Sequence, residues 1–289
     1  MKLIFFFSTL LAAILINVSA NGQALQLKES YVVLGNDTVI VQKYDSPLGA
    51  NGYCLIHVHE NETASLEAGF RMLLKYGGSL VTLRHSLPGL VNRNIQFTIQ
   101  KDLFEFDPNR IFSKDTSILN KTLSSKSNTP AIRDSALKVV QNVADVILKE
   151  IEPFPNWVAL HNNKNTPAKW AVSGREVEFE AESYSLVSYV KKFDEASESS
   201  LSASDIYINP VINNSEFFIV TSLMDFDAIQ KKRFNVVLQN ENPVDDGSLS
   251  VYAFSKGKRY INSEAKHGKV DEQFGMLELL HQVLTENKF

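Results

Sequence analysis

An apolar run, Tyr53-Cys54-Leu55-Ile56, passes directly into His57-Val58-His59-Glu60-Asn61-Glu62, so two imidazoles and two carboxylates crowd into six residues. Imidazole nitrogen and carboxylate oxygen are ligands that zinc takes at about 2 Å, and they must converge on one point to hold it. A strand that turns sharply into a helix lets residues three apart converge in this way. That makes His59-x-x-Glu62 the candidate ligand pair. His57-x-x-Glu60 has the same spacing, and His57 and His59, two apart, share a strand face. Position decides between them. His59 stands at the strand end, where open α/β sheets gather their ligands, and Glu62 opens the helix. His57 is expected beside the ligands, not among them.

A third ligand comes from Trp157-Val158-Ala159-Leu160-His161, another buried apolar strand that delivers a histidine at its C-terminal end. With His59 and Glu62, His161 completes the two-His, one-carboxylate set of a catalytic zinc site, whose fourth position takes water. One Zn2+ per chain is the expected cofactor. Phe106-Asp107-Pro108-Asn109-Arg110-Ile111-Phe112 combines turn chemistry at Asp-Pro-Asn with an arginine beside apolar residues. A guanidinium held on a rigid turn suits bidentate capture of a carboxylate.

These residues need a scaffold that brings strand ends together, and the apolar pattern provides one. Residues 53–59 and 157–161 read as buried strands, apolar on both faces. Between them, 62–76 has Leu66, Phe70, Leu73 and Leu74 at helical spacing, stopped by Gly77-Gly78. Strands are expected at 79–85 and 93–99, with 103–106 a short extension of the sheet region. An amphipathic helix follows at 135–150, ended by Pro153 and Pro155. Further strands are expected at 205–209, 217–221 and 235–238, and one or two more within 251–265. A last helix covers 270–284. Residues 175–205, rich in Glu and Ser, read as surface structure over one side of the sheet. Strands and helices alternate with no repeat and no Pro/Gly linker, which predicts an α/β single domain with a mixed, largely parallel central sheet flanked by helices.

The first residues stand apart from that domain. Lys2, an apolar run over 3–16 and Val18-Ser19-Ala20 have the form of a signal peptide, residues 1–20, with an alternative cut after Ala24. The run is shorter than the about 20 residues of a membrane span, so no span is expected after processing, and the domain occupies 25–289. Cys54 is the only cysteine, so no intramolecular disulfide can form. The net charge of -4 and the lack of a basic run argue against nucleic acid as a partner. Sequons begin at Asn36, Asn61, Asn120 and Asn213. A glycan on Asn61 would block the metal motif, which favours a bacterial periplasmic or extracellular setting.

The order H-x-x-E, then Asn-Arg, then a strand-borne His resembles the metallocarboxypeptidase (carboxypeptidase A-like) superfamily. Its succinylglutamate desuccinylase/aspartoacylase branch and the N-formylglutamate amidohydrolases carry similar arrangements. The resemblance spans roughly residues 55–163 through short motifs whose order is more specific than any one of them. It implies zinc on His59, Glu62 and His161. It also implies that Asn109 and Arg110 grip the free carboxylate of a substrate while Arg93, upstream, polarises the scissile carbonyl. A glutamate general base on a late strand is implied too. Tyr260-Ile261-Asn262-Ser263-Glu264 matches best and nominates Glu264, with Glu272 second. The chain departs from the pattern at Asp107-Pro108 before Asn-Arg and at Asn162-Asn163 after His161. For the substrate-capping tyrosine it offers Tyr252 and Tyr260.

The expected activity is amide hydrolysis in a small peptide or acyl-amino-acid substrate with a free carboxylate, most concretely by a peptidase acting on peptides or cell-wall stem peptides. An N-acyl-amino-acid amidohydrolase is the first alternative, distinguished by a closed pocket on the acyl side. A non-catalytic metal-containing binding protein is the second, distinguished by stoichiometric zinc without turnover.

Overall fold

The computed structural model of the chain describes residues 24–86, 90–125, 129–163, 165–172, 175–182, 186, 189 and 203–286. The expected signal peptide lies outside the described residues, as does most of 183–202 within the Glu/Ser-rich stretch. Among the described residues no helix is long and apolar enough to cross a membrane.

Strands β1 (Gln26–Leu34) and β2 (Asp37–Asp45) form a hairpin turning at Gly35 and Asn36. They join β3 (Tyr53–His57) and β4 (Ser79–Arg84) in a large sheet. Strands β5 (Ile95–Ile99), β6 (Asp102–Phe106) and β7 (Ser124–Ser125) make a separate three-stranded sheet. After β8 (Asn156–Asn163), β9 (Asn165–Val172) and β10 (Arg175–Glu182) form a two-stranded sheet of their own among the described residues. Strands β11 (Ala203–Tyr207), β12 (Phe217–Val220), β13 (Val236–Gln239) and β14 (Arg259–Lys266) return to the large sheet. Its order is β1-β2-β4-β3-β8-β14-β12-β13-β11.

The sheet is mixed. Its centre, β4-β3-β8-β14, is parallel, as is the pair β12–β13. The other neighbours, β1–β2, β2–β4, β12–β14 and β11–β13, are antiparallel. Parallel order is thus confined largely to the middle, where helical crossovers connect the strands; parallel pairs need such long connections and hairpins do not.

Helices α1 (Thr63–Tyr76) and α6 (Val270–Glu286) cover one face of the sheet, where Ala68, Met72, Leu277 and Leu280 meet Leu55, Leu80, Val158 and Ile261. The other face carries α3 (Pro130–Ile151) and the small sheet. There Val140, Val143 and Ile147, with Phe97, Phe104 and Phe106, meet Ile56, Trp157 and Ala159. Neighbours such as Leu55 and Ile56 therefore go to opposite cores, which is why the central strands read as unbroken apolar runs. Gly69 sets the approach of α1. A Cβ there would lie 2.5 Å from Leu80 Cδ1 and 2.8 Å from Leu160 Cδ1.

Several boundaries differ from expectation for local reasons. Residues 103–106 do not extend the main sheet; β6 pairs with β5 and β7. Strand β5 starts at Ile95, so Arg93 lies on the preceding loop. Helix α3 begins at Pro130, a residue suited to a first turn because its missing N–H has no helical partner there. The 251–265 region begins as a helix, α5 (Leu249–Ser255), because the Ser248 side chain caps the Val251 N–H. Two short helices were not legible: α2 (Thr116–Thr122) and α4 (Leu223–Lys231).

Candidate metal centre

Strand β3 ends at His57, and the chain then turns. The Glu62 N–H donates to the His59 carbonyl at 2.9 Å, closing a turn that brings these two side chains together, and Glu62 stands as the N-cap of α1. Because the strand has ended, alternation does not govern His59. His57 makes different contacts, pairing through Nδ1 with Thr82 Oγ1 at 2.9 Å and through Nε2 with the Glu62 carbonyl at 3.0 Å. A carbonyl only accepts, so Nε2 carries the proton and Nδ1 accepts from the hydroxyl. Burial lowers the His57 pKa to about 4. His57 is therefore a neutral strut under the Glu62 backbone.

His161 comes from β8, next to β3. Its Nδ1 lies 3.1 Å from His59 Nδ1 and 3.1 Å from Glu62 Oε2, and His59 Nδ1 lies 2.9 Å from Glu62 Oε1. All three side chains are buried. The Asn162 backbone N–H donates to Glu62 Oε2 at 3.0 Å. Its side-chain oxygen accepts from the Ser65 N–H in the first turn of α1 at 2.9 Å, while its amide nitrogen donates to Gln273 of α6 at 3.1 Å. Asn162, a departure in the sequence, thus locks β8, α1 and α6 around the site. Glu264 sits on β14 in direct register with His161. His59, His161 and Glu264 accordingly come from the C-terminal ends of three adjacent parallel strands.

The small sheet supplies the opposite wall. Just past β6, Asp107 Oδ1 accepts from His59 Nε2 at 2.7 Å and from the Asn109 N–H at 2.8 Å; Oδ2 accepts from Arg93 Nη1 at 2.6 Å. Arg93 Nε lies 3.8 Å from Glu62 Oε1. Asn109 Oδ1 accepts from the Leu249 N–H at 3.3 Å, and Arg110 pairs with Asp246. Gly247 holds that second loop close. Its φ is 78°, and a Cβ there would fall 2.5 Å from the Arg110 carbonyl oxygen.

The donor set fits a divalent cation. His59 Nε2–H donates a hydrogen bond to Asp107, so the neutral ring keeps a lone pair on Nδ1 facing His161 Nδ1 and the Glu62 carboxylate. Ligands about 2 Å from a tetrahedral zinc stand about 3.3 Å from each other, close to the 2.9–3.1 Å separations here. Three such acceptors packed together in a buried site repel unless positive charge lies among them. Burial would raise the Glu62 carboxyl, but His161 and His59 outweigh it and hold it well below the usual carboxylate range. Asp107 is held low in the same way, burial being overcome by His59 and Arg93. His59 is raised, because Glu62 and Asp107 overcome its burial. Glu264 goes the other way: burial pushes it up to about 7.

A cavity of about 480 Å³ opens in front of these groups, lined by His59, Glu62, Arg93, Asn109, Arg110 and Glu264 among others. The structure therefore brings the expected ligands His59, Glu62 and His161 to one cavity with Arg93, Asn109, Arg110 and Glu264, whereas Glu272 and Tyr252 do not line it. Tyr260 lines the cavity and is buried, whereas Tyr252 stacks near Trp157, with ring centroids 6.4 Å apart, away from it. Glu272 is half-buried and paired with Lys269. Sequence reading missed Asp107 as a partner of His59, because Asp-Pro is fully explained as a turn. It also missed Tyr189, Gln239 and Asp246 in the cavity wall. Orienting carboxylates behind metal-bound histidines typically contribute 10- to 100-fold to affinity. Asp107→Ala is expected to lose about that much affinity for zinc, read by competition with a chromophoric chelator. Unchanged affinity would reduce Asp107 to a turn residue.

No protein-family model matches the chain, and no curated protein matches it. Among solved structures, the chain is similar to an aspartoacylase family protein from Mesorhizobium loti MAFF303099, at 16% identity and a TM-score of 0.45, covering 93% of this chain and 70% of that one. It is also similar to two candidate metallopeptidases. One, from Shewanella baltica OS155, has 12% identity and a TM-score of 0.40, over 97% of this chain and 89% of that one. The other, from Shewanella amazonensis SB2B, has 13% identity and a TM-score of 0.38, over 97% and 91%.

Proposed function

We propose that the chain is a zinc-dependent hydrolase cleaving an amide bond in a substrate with a free carboxylate, most concretely a carboxypeptidase-like peptidase. The observation that carries this reading is the register of β8 and β14, which sets a buried carboxyl, Glu264, level with His161 beside the His59–Glu62 turn. His59, Glu62 and His161 would hold the zinc, which would supply Lewis acidity toward a carbonyl and a water. Glu264 takes the proton of the attacking water and passes it to the leaving amine. A carboxyl pushed up to about 7 suits both steps near neutral pH. Arg93, half-exposed at the cavity edge and fixed by Asp107, donates to the oxygen that gains charge. The signal peptide read in the sequence makes this an exported enzyme, acting in the periplasm or outside the cell.

Arg110 and Asn109 bind the substrate carboxylate in this scheme. Arg110 holds the Asp246 carboxylate at the cavity wall, an arrangement that a substrate carboxylate can take over. Charge-assisted hydrogen bonds of this kind are worth about 1.5–3 kcal/mol. Arg110→Ala should therefore raise KM by roughly 10- to 100-fold, with a smaller effect on kcat. Amidating the substrate carboxylate should cost the wild type heavily and the variant little. Equal losses in both proteins would remove Arg110 from substrate recognition.

A further inference from the structure

Beyond Glu264 the cavity is floored by strands β14, β12 and β13, and its chemistry there is unusual for a buried surface. In register across the strands stand Asn262, Ile219 and Val237, with Gln239 two residues further along β13 on the same face. Asn262, Ile219 and Gln239 line the cavity. Asn262 is 6% exposed and Gln239 is 7% exposed. The Asn262 amide nitrogen donates to Glu264 Oε1 at 2.9 Å, which fixes the orientation of the group. Its Oδ1 is buried and has no hydrogen-bond partner among the described residues, and the same is true of Gln239 Nε2. Buried polar groups are nearly always paired, and an unpaired one calls for an explanation.

We propose that this floor is a side-chain subsite that selects a neutral carboxamide. Gln239 Nε2 offers a proton to an acceptor, and Asn262 Oδ1 accepts one from a donor. A primary amide carries both a carbonyl oxygen and an N–H, the complements of these two groups. A carboxylate has no proton for Asn262 Oδ1 and brings negative charge beside Glu264. An ammonium has no lone pair for Gln239 Nε2. An aliphatic side chain would leave both groups buried and unpaired, the situation in which a site built for hydrogen bonds rejects an apolar analogue most strongly. Deepening the hydrolase reading, the inference names its substrate class as an amide-linked residue with a glutamine- or asparagine-like side chain.

Binding tests it independently of turnover. The full chain, supplied with Zn2+, is titrated by calorimetry with N-acetylglutamine, N-acetylleucine and N-acetylglutamate. All three ligands share the free carboxylate, so only the side chain differs. N-acetylglutamine should bind tightest, by about 10- to 100-fold over N-acetylleucine, since leaving a buried donor or acceptor unpaired carries about that penalty. Gln239→Met keeps the length and removes the donor, and should shrink that ratio about tenfold. N-acetylleucine or N-acetylglutamate binding as tightly as N-acetylglutamine to the wild type would overturn the subsite, as would failure of all three to bind. If the glutamine preference appears but no acylated glutamine is hydrolysed, the subsite stands and the hydrolase reading falls.

Discussion

Glu264→Gln keeps its metal and loses about two to four powers of ten in turnover, the usual contribution of general acid–base catalysis. The substitution preserves the size of the side chain and its contact with Asn262 while removing the proton acceptor. Glu264 does not belong to the group of three ligand atoms that converge, so metal content should hold. The pH profile gives the prediction its sign. An ordinary glutamate ionises near 4.5, but burial pushes this one up to about 7. Below that pH the carboxyl is neutral and cannot accept a proton, so wild-type kcat falls as the pH drops through the neighbourhood of 7. Glutamine does not titrate, and that acidic limb should vanish with the base. Normal turnover in Glu264→Gln would sink the assignment. Loss of metal would mean that Glu264 is a ligand.

The same carboxylate shows what could be read from the residues alone and what could not. The pair His59-x-x-Glu62 was legible because a strand-to-helix turn is a local event, and its closing hydrogen bond from the Glu62 N–H to the His59 carbonyl spans three residues. His161 was legible as the polar end of an apolar strand, whereas Glu264 was nominated only through the resemblance. That they lie side by side depends on the strand order β3-β8-β14, and only the resemblance brought them together beforehand. Asp107 was hidden by its own local chemistry. A residue that accounts for a turn leaves no surplus signal, and its bond to His59 joins positions 48 apart in sequence. The floor residues Asn262 and Gln239 were hidden for a related reason. Each is an ordinary strand amide until β12 is inserted between their strands. The parallel content of the sheet was overestimated because the sequence of strands and helices marks crossovers well, whereas the flanking strands pair antiparallel with neighbours that no local pattern identifies.

Removal of His161 should be the most damaging change to the metal itself. Its Nδ1 is one corner of the triangle formed with His59 and Glu62, and no other imidazole among the described residues stands ready to replace it. His57 already uses both ring nitrogens. His161→Ala should therefore lose more zinc affinity than the about 10- to 100-fold expected for an orienting partner such as Asp107. The fold should survive, because Glu62 retains its bond from the Asn162 N–H and Asn162 still ties β8 to α1 and α6. Circular dichroism and a cooperative thermal transition would establish that.

Equilibrium zinc binding to the full chain, with the absorption-edge fine structure of the bound ion, tests the metal site most directly. Wild type should take up about one equivalent, with nitrogen and oxygen neighbours at about 2.0–2.2 Å and multiple scattering from two imidazoles. No sulfur neighbour is expected, because Cys54 is fully buried in β3. His161→Ala should give a folded protein with most of that zinc gone. A wild type that binds no zinc, or a His161→Ala protein that keeps full occupancy with an unchanged coordination shell, would contradict the assignment of His59, Glu62 and His161 as the metal ligands.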